Sequence, residues 1–190
     1  MTPSAAHQRT TAETLFATPQ IVADRRPDGS IWLSSTVPLQ ASARCVGDWL
    51  EHWAQQAPQR IFLGQRASAE QPWSTLTYGE ALRQLRSIAS WILAQGMSPE
   101  RPLVILSDNS IEHALLALAA MHVGVPVAAV SPAYSLIAKD YDKLKSMIVL
   151  LDPGAIYVSS LKPFTAALAA LADVHRAVIV SGEEGGAVAF

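Results

Sequence analysis

Residues Arg101–Ser135 read RPLVILSDNSIEHALLALAAMHVGVPVAAVSPAYS. Leu103–Ser107 is a β-branched apolar run, the signature of a strand buried on both faces. Asn109, with Glu112 three residues on, is the expected cap of a helix that runs to Val123. Gly124 releases that helix, because only glycine turns the chain through positive φ without steric cost. Val125–Val130 is a second apolar strand. Parallel strands need such helical crossovers, so the stretch is one βαβ unit.

Two more units follow. Ser135 is the expected cap of a helix with Leu136, Tyr141, Leu144, Ile148 and Leu151 inward, stopped at Asp152-Pro153-Gly154. Ala155–Ser159 is the third strand, Pro163–Ala172 the next crossover helix and Ala177–Ser181 the fourth strand. The expected fold is therefore α/β: a three-layer, mainly parallel, doubly wound sheet with right-handed crossovers over 101–181.

Upstream the pattern differs. Gln20–Arg26 and Ile31–Ser35 flank Pro27-Asp28-Gly29-Ser30, which predicts an N-terminal β-hairpin over 20–35. Val46–Ala57 is a short helix with Val46, Leu50, Trp53 and Ala54 on one side; Trp49 and Trp53 are expected to anchor the core. Ile61–Arg66 and Trp73–Thr77 form a second strand pair over 61–77. Thr77 and Glu80 make a capping box. Behind it Ala81, Leu82, Leu85, Ile88, Ala89, Ile92 and Leu93 stripe one face of a helix ending at Gly96. Residues 1–17 read as a mobile tail, 18–182 as one structured unit, and 183–190 as a loop in which a larger protein has been cut.

Half of the 190 residues are hydrophobic and 16% are charged, which excludes a disordered chain. A net charge of −2 offers no field for nucleic acid. The four lysines, Lys139, Lys143, Lys145 and Lys162, are close in sequence, but three share a helix with Asp140 and Asp142 and read as a solvated face. The single cysteine, Cys45, excludes an internal disulfide and fits a reducing, cytoplasmic setting; it reads as a small packed residue. No apolar run reaches the ~20 residues that cross a bilayer, so no membrane partner is expected.

Chemistry is sparse. No G-x-x-x-x-G-K-[ST], G-x-G-x-x-G or G-x-S-x-G occurs, and the glycines of Ser181–Gly186 lack a following helix. His7, His52, His113, His122 and His175 form no metal-ligand spacing; His113 and His122 are nine apart on one helix and point opposite ways. Ser107, Asp108, Asn109 and Ser131 sit at strand ends, where a doubly wound sheet opens its crevice, and Tyr134 lies in the loop beyond. Capping and turn formation already explain these positions. No catalytic, cofactor-binding or metal residue is assigned.

Leu76-Thr77-Tyr78-Gly79-Glu80-Ala81-Leu82 resembles the first core motif of the adenylate-forming enzymes. Ala119–Pro132, with its small-residue helix end, Gly124, strand and Pro132, resembles their second. The hairpin Asp24–Leu39, Arg44–Glu51, Ser107–Leu116 and Ser131–Leu136 are similar to the feruloyl-CoA synthase group, ligases for hydroxycinnamic acids. The likeness covers Thr18 to Gly182.

The resemblance implies an N-terminal subdomain of an ATP-dependent acyl/aryl-CoA ligase whose parent uses ATP, Mg²⁺ and CoA on an aromatic carboxylic acid. The family's phosphate loop, nucleotide contacts, magnesium-binding glutamate and lid lysine have no counterpart here. The fragment is therefore expected to be inactive, to hold no cofactor, and to have the rest of the ligase as its partner. Uncovered apolar surface would favour self-association. Two alternatives stand beside this reading. One is a flavodoxin-like nucleotide- or anion-binding module; the other is a non-catalytic interaction domain pairing through a sheet edge or apolar patch.

Overall fold

A computed structural model describes residues 18–182. It divides into a first unit ending at Ser42 and a second beginning at Ala43. The tail and the closing loop expected at 1–17 and 183–190 lie outside the described residues.

The first unit carries the expected hairpin. β1 (Ile21–Arg25) pairs antiparallel with β2 (Ile31–Ser35), Arg25 opposite Ile31 and Ile21 opposite Ser35. Gly29 turns the chain at φ 85°, and the Asp28 carboxylate accepts from the Ser30 amide at 2.9 Å and its hydroxyl at 2.7 Å. The Arg26 guanidinium lies 3.5 Å from the Trp32 ring centroid.

The second unit begins with α1 (Val46–Gln56), then the antiparallel pair β3 (Ile61–Gln65) and β4 (Ser74–Thr77), then α2 (Tyr78–Ala94). The Thr77–Glu80 capping box forms as expected: the Glu80 amide donates to Oγ1 of Thr77 at 3.3 Å and the Thr77 amide to Oε2 of Glu80 at 2.9 Å. Gly96 ends the helix region at φ 68°.

The remainder alternates: β5 (Leu103–Ile105), α3 (Ile111–His122), β6 (Val127–Ala129), α4 (Ala133–Leu136), α5 (Asp142–Leu151), β7 (Ala155–Val158), α6 (Leu161–Leu171) and β8 (Val178–Ser181). The four strands form one wholly parallel sheet in the order β6-β5-β7-β8. Successive side chains of a strand point to opposite faces. Leu103, Ile105, Ala155, Tyr157 and Val180 therefore pack against α1–α3, while Val104, Leu106, Ile156 and Val158 pack against α5 and α6. Three layers result, helices on both faces, as the near-continuous apolar strands require.

Several local expectations are corrected. Ser110, not Asn109, caps α3, its hydroxyl accepting from the His113 amide at 3.0 Å; that register moves Glu112 out of capping-box position. Ser135 does not cap one long helix. It sits inside the short α4, and the chain breaks before α5, so Lys139 and Asp140 lie off the helix that carries Lys143 and Lys145. Leu136 and Leu93 are exposed rather than inward. Tyr134 belongs to α4, with the Lys143 ammonium 5.1 Å from its ring centroid. Of the apolar side of α1, Leu50 is buried but Val46 is 56% exposed, and the two tryptophans expected to anchor the core are exposed, Trp49 at 57% and Trp53 at 38%. Helical spacing defines a face but not whether anything covers it.

Candidate functional site

Ligands of doubly wound sheets lie beyond the carboxyl ends of the strands, where the strand order reverses. Here β5 precedes β6 on one side and β7 lies on the other, so the reversal falls between β5 and β7. That place is filled by the chain itself. Tyr157 is 1% exposed, and its hydroxyl stands at the carboxyl end of β7. Burial, and then the charge of Glu112, push its phenol up to about 12, with a hydrogen bond to the Ser110 side chain pulling the other way. A Cβ added at Gly182 would fall 2.8 Å from that hydroxyl and 2.9 Å from the Ser159 carbonyl oxygen, so the backbone there passes closely over Tyr157.

The strand-end residues singled out from the sequence do come together, on the other side of β5. A cleft of about 230 Å³ between the ends of β5 and β6 is lined by Ser107, Asp108, Asn109, His113, Ser131 and Pro132. A second cleft, of about 310 Å³, opens toward Leu63, Gly64 and Gln65 of β3 and shares Asn109 and His113 with the first. Ser107 is 3% exposed, and its hydroxyl has no hydrogen-bond partner in the chain. The side chains of Asp108, Asn109 and Ser131 likewise make no hydrogen bond among the described residues. His113 is fixed by contact of Nδ1 with the Asp108 carbonyl oxygen at 3.2 Å.

A helix N-terminus at such a crevice would ordinarily cradle phosphate with free amides. At α3 two of those amides are taken. The Ile111 amide donates to Oε1 of Gln65 at 2.8 Å, across 46 positions of sequence, and the His113 amide donates to Ser110. Asp108 and Glu112 add negative charge. The chain's own residues here do not fit a nucleotide phosphate, and none of the described residues form a group of three or more His, Cys, Asp or Glu able to hold a metal ion.

The remaining candidates are scattered. Cys45 caps α1, and its Sγ lies 3.5 Å from Oδ1 of Asp48. His122 stands 3.8 Å from Oε1 of Glu51, which also pairs with Arg86 at 3.2 Å. His52 meets the Trp53 ring edge-on, with centroids 5.1 Å apart. Burial holds the His175 imidazole below its ordinary range; its Nδ1 accepts from the Ala177 amide at 3.0 Å. His7 lies outside the described residues. Trp49, Trp53, Phe62 and Tyr78 line an aromatic groove of about 260 Å³. Two tryptophans at helical spacing carry no mark that separates such a groove from a packed core, so the sequence does not reveal it.

The architecture is thus a doubly wound α/β/α sandwich preceded by an antiparallel strand pair. The AMP-binding enzyme family model matches residues 50–184, most of this second unit. The chain belongs to the AMP-binding enzyme family. A linear gramicidin synthase of Brevibacillus parabrevis is 30% identical over 103 residues, 54% of this chain and 2% of that protein. VinN shares the fold at TM-score 0.58 and 20% identity over 72% of this chain and 31% of its own. The fatty acid AMP ligase of Legionella pneumophila aligns at TM-score 0.53 and 16% identity over 60% of this chain and 19% of its own. The chain spans a third or less of each of these relatives. No helix among the described residues is long and apolar enough to cross a membrane.

Proposed function

We propose that this chain is the N-terminal scaffold of an ATP-dependent acyl- or aryl-CoA ligase similar to feruloyl-CoA synthase, acting in the cytoplasm. The observation that carries the reading is the family match over 50–184, on a segment that includes the Thr77-Tyr78-Gly79-Glu80 and Gly124–Pro132 motifs. The likeness of the hairpin, Arg44–Glu51 and Ser131–Leu136 to the feruloyl-CoA synthase group supports a hydroxycinnamate-type acid. The parent would join that acid to AMP using ATP and Mg²⁺, then transfer it to CoA.

Forming an acyl-adenylate requires fixed positive charge and free amides around the reacting phosphorus. In this segment the Ile111 and His113 amides of α3 serve Gln65 and Ser110, and Tyr157 occupies the strand-order reversal. The catalytic groups are therefore assigned to the rest of the ligase, and the role of this segment is to carry that part on a rigid sheet.

ATP–pyrophosphate exchange tests the proposal. The 190-residue chain is expected to show none with ferulate, coumarate or caffeate, and the chain joined to the coding sequence downstream of it is expected to show all three. Exchange by the 190 residues alone refutes the scaffold role. Exchange by the longer protein with aliphatic acids only refutes the hydroxycinnamate assignment.

A further inference from the structure

The cleft between β5 and β6 combines three properties. Its Ser107 hydroxyl is buried without a protein partner, a state that costs about 1–3 kcal/mol unless a water or another bound group relieves it. Its remaining polar side chains, Asp108, Asn109 and Ser131, are free of hydrogen bonds within the described residues. Among the described residues its only charged lining group is the Asp108 carboxylate, with Glu112 in the adjoining first turn of α3 and no lysine or arginine. The α3 dipole, equivalent to roughly half a positive charge, does not offset two full negative ones.

Acceptors dominate this lining. Asp108 offers two carboxylate oxygens, Asn109 a carbonyl, and Ser107 and Ser131 hydroxyl lone pairs. With Nδ1 of His113 engaged by the Asp108 carbonyl, Nε2 is left as a further acceptor in the neutral ring. A group carrying several N–H donors and a positive charge satisfies such a lining. A carboxylate or phosphate could accept from the serine hydroxyls and the Asn109 amide, but it would face the negative charge of Asp108.

We propose that the β5–β6 cleft is a binding site for a small primary-ammonium compound, held by the Asp108 carboxylate with Ser107, Asn109 and Ser131 around it. The site belongs to this chain and does not depend on the ligase assignment. A compound of ethanolamine size fits a cleft of about 230 Å³ and can give its hydroxyl to Nε2 of His113.

The test is a titration of the isotope-labelled 190-residue chain, followed by amide NMR at constant ionic strength. Ethanolamine is expected to shift the resonances of Ser107–Ser110, His113 and Ser131 saturably, with a dissociation constant of about 1–10 mM. Acetate and inorganic phosphate are expected to leave those resonances in place. Asp108→Asn removes the charge and should weaken binding about tenfold, the equivalent of about 1.4 kcal/mol, while Ser107→Ala should weaken it a few-fold. Unchanged dispersion of the remaining resonances shows that each variant is folded. Absence of a saturable shift overturns the proposal, as do equal shifts with phosphate or full affinity in Asp108→Asn. Because no ATP chemistry is involved, failure of the exchange assay leaves this result standing, and the reverse holds too.

Discussion

Deleting one hydroxyl should have opposite effects at two positions near the carboxyl ends of adjacent strands, Ser107 just beyond β5 and Tyr157 in β7. At Ser107 the oxygen is buried and unpartnered within the chain, and burying a hydroxyl without a hydrogen bond costs about 1–3 kcal/mol. Ser107→Ala removes that cost. It also removes the oxygen's packing contacts, each about 0.1–0.2 kcal/mol, so the net gain expected is about 1 kcal/mol. At Tyr157 the hydroxyl is equally buried but interacts with Ser110. Tyr157→Phe loses that hydrogen bond and leaves the Ser110 hydroxyl with the His113 amide as its remaining partner, a loss of about 1 kcal/mol. For a chain of this size each change corresponds to roughly 2–4 °C in Tm. Urea unfolding of both variants and the double variant measures the effects, with an unchanged m value required for the comparison. Destabilisation of Ser107→Ala by about 1 kcal/mol or more would show that its hydroxyl is satisfied, and the cleft would lose its defining feature. If the expectation holds, Ser107 is retained against stability, as binding sites commonly are.

Gln65→Ala frees the Ile111 amide and should cost about 1 kcal/mol, with hydrogen exchange accelerated selectively in the first turn of α3. Equal acceleration throughout the sheet would show that the cap is not a local device. Thr77→Ala removes one half of the capping box and should lower stability by about 1 kcal/mol by urea unfolding, with Thr77→Ser restoring most of it. His175 has a folded pKa below its unfolded value of 6.5, so the native state binds fewer protons there. Its contribution is complete above pH 6.5 and is lost as pH falls through that value toward the folded pKa. His175→Gln should flatten the stability profile in that window, and an unaltered profile would remove burial of His175 as its cause. Trp49→Lys, on the open face of α1, should leave Tm within about 2 °C while reducing binding of an apolar-surface dye.

What could be read from residue order alone was much of what depends on neighbours within a turn or a strand, though not the break between α4 and α5. The alternation after Arg101, the Thr77–Glu80 box, the hairpin about Gly29 and the apolar strands required only periodicities of about 3.6 and 2 together with the steric freedom of glycine. The choice of Ser110 over Asn109 as cap lay beyond that reach, because the register of α3 is held partly by Gln65 from 46 positions away. Only the folded chain decided the order β6-β5-β7-β8, which puts the reversal between β5 and β7 and lets Tyr157 close it. It also decided that Ser107 would be buried without a partner and that Trp49 would stay uncovered. Local pattern specifies which face of an element is apolar. What meets that face is set by contacts between residues far apart in the chain, and those carry no signature in the spacing of either partner.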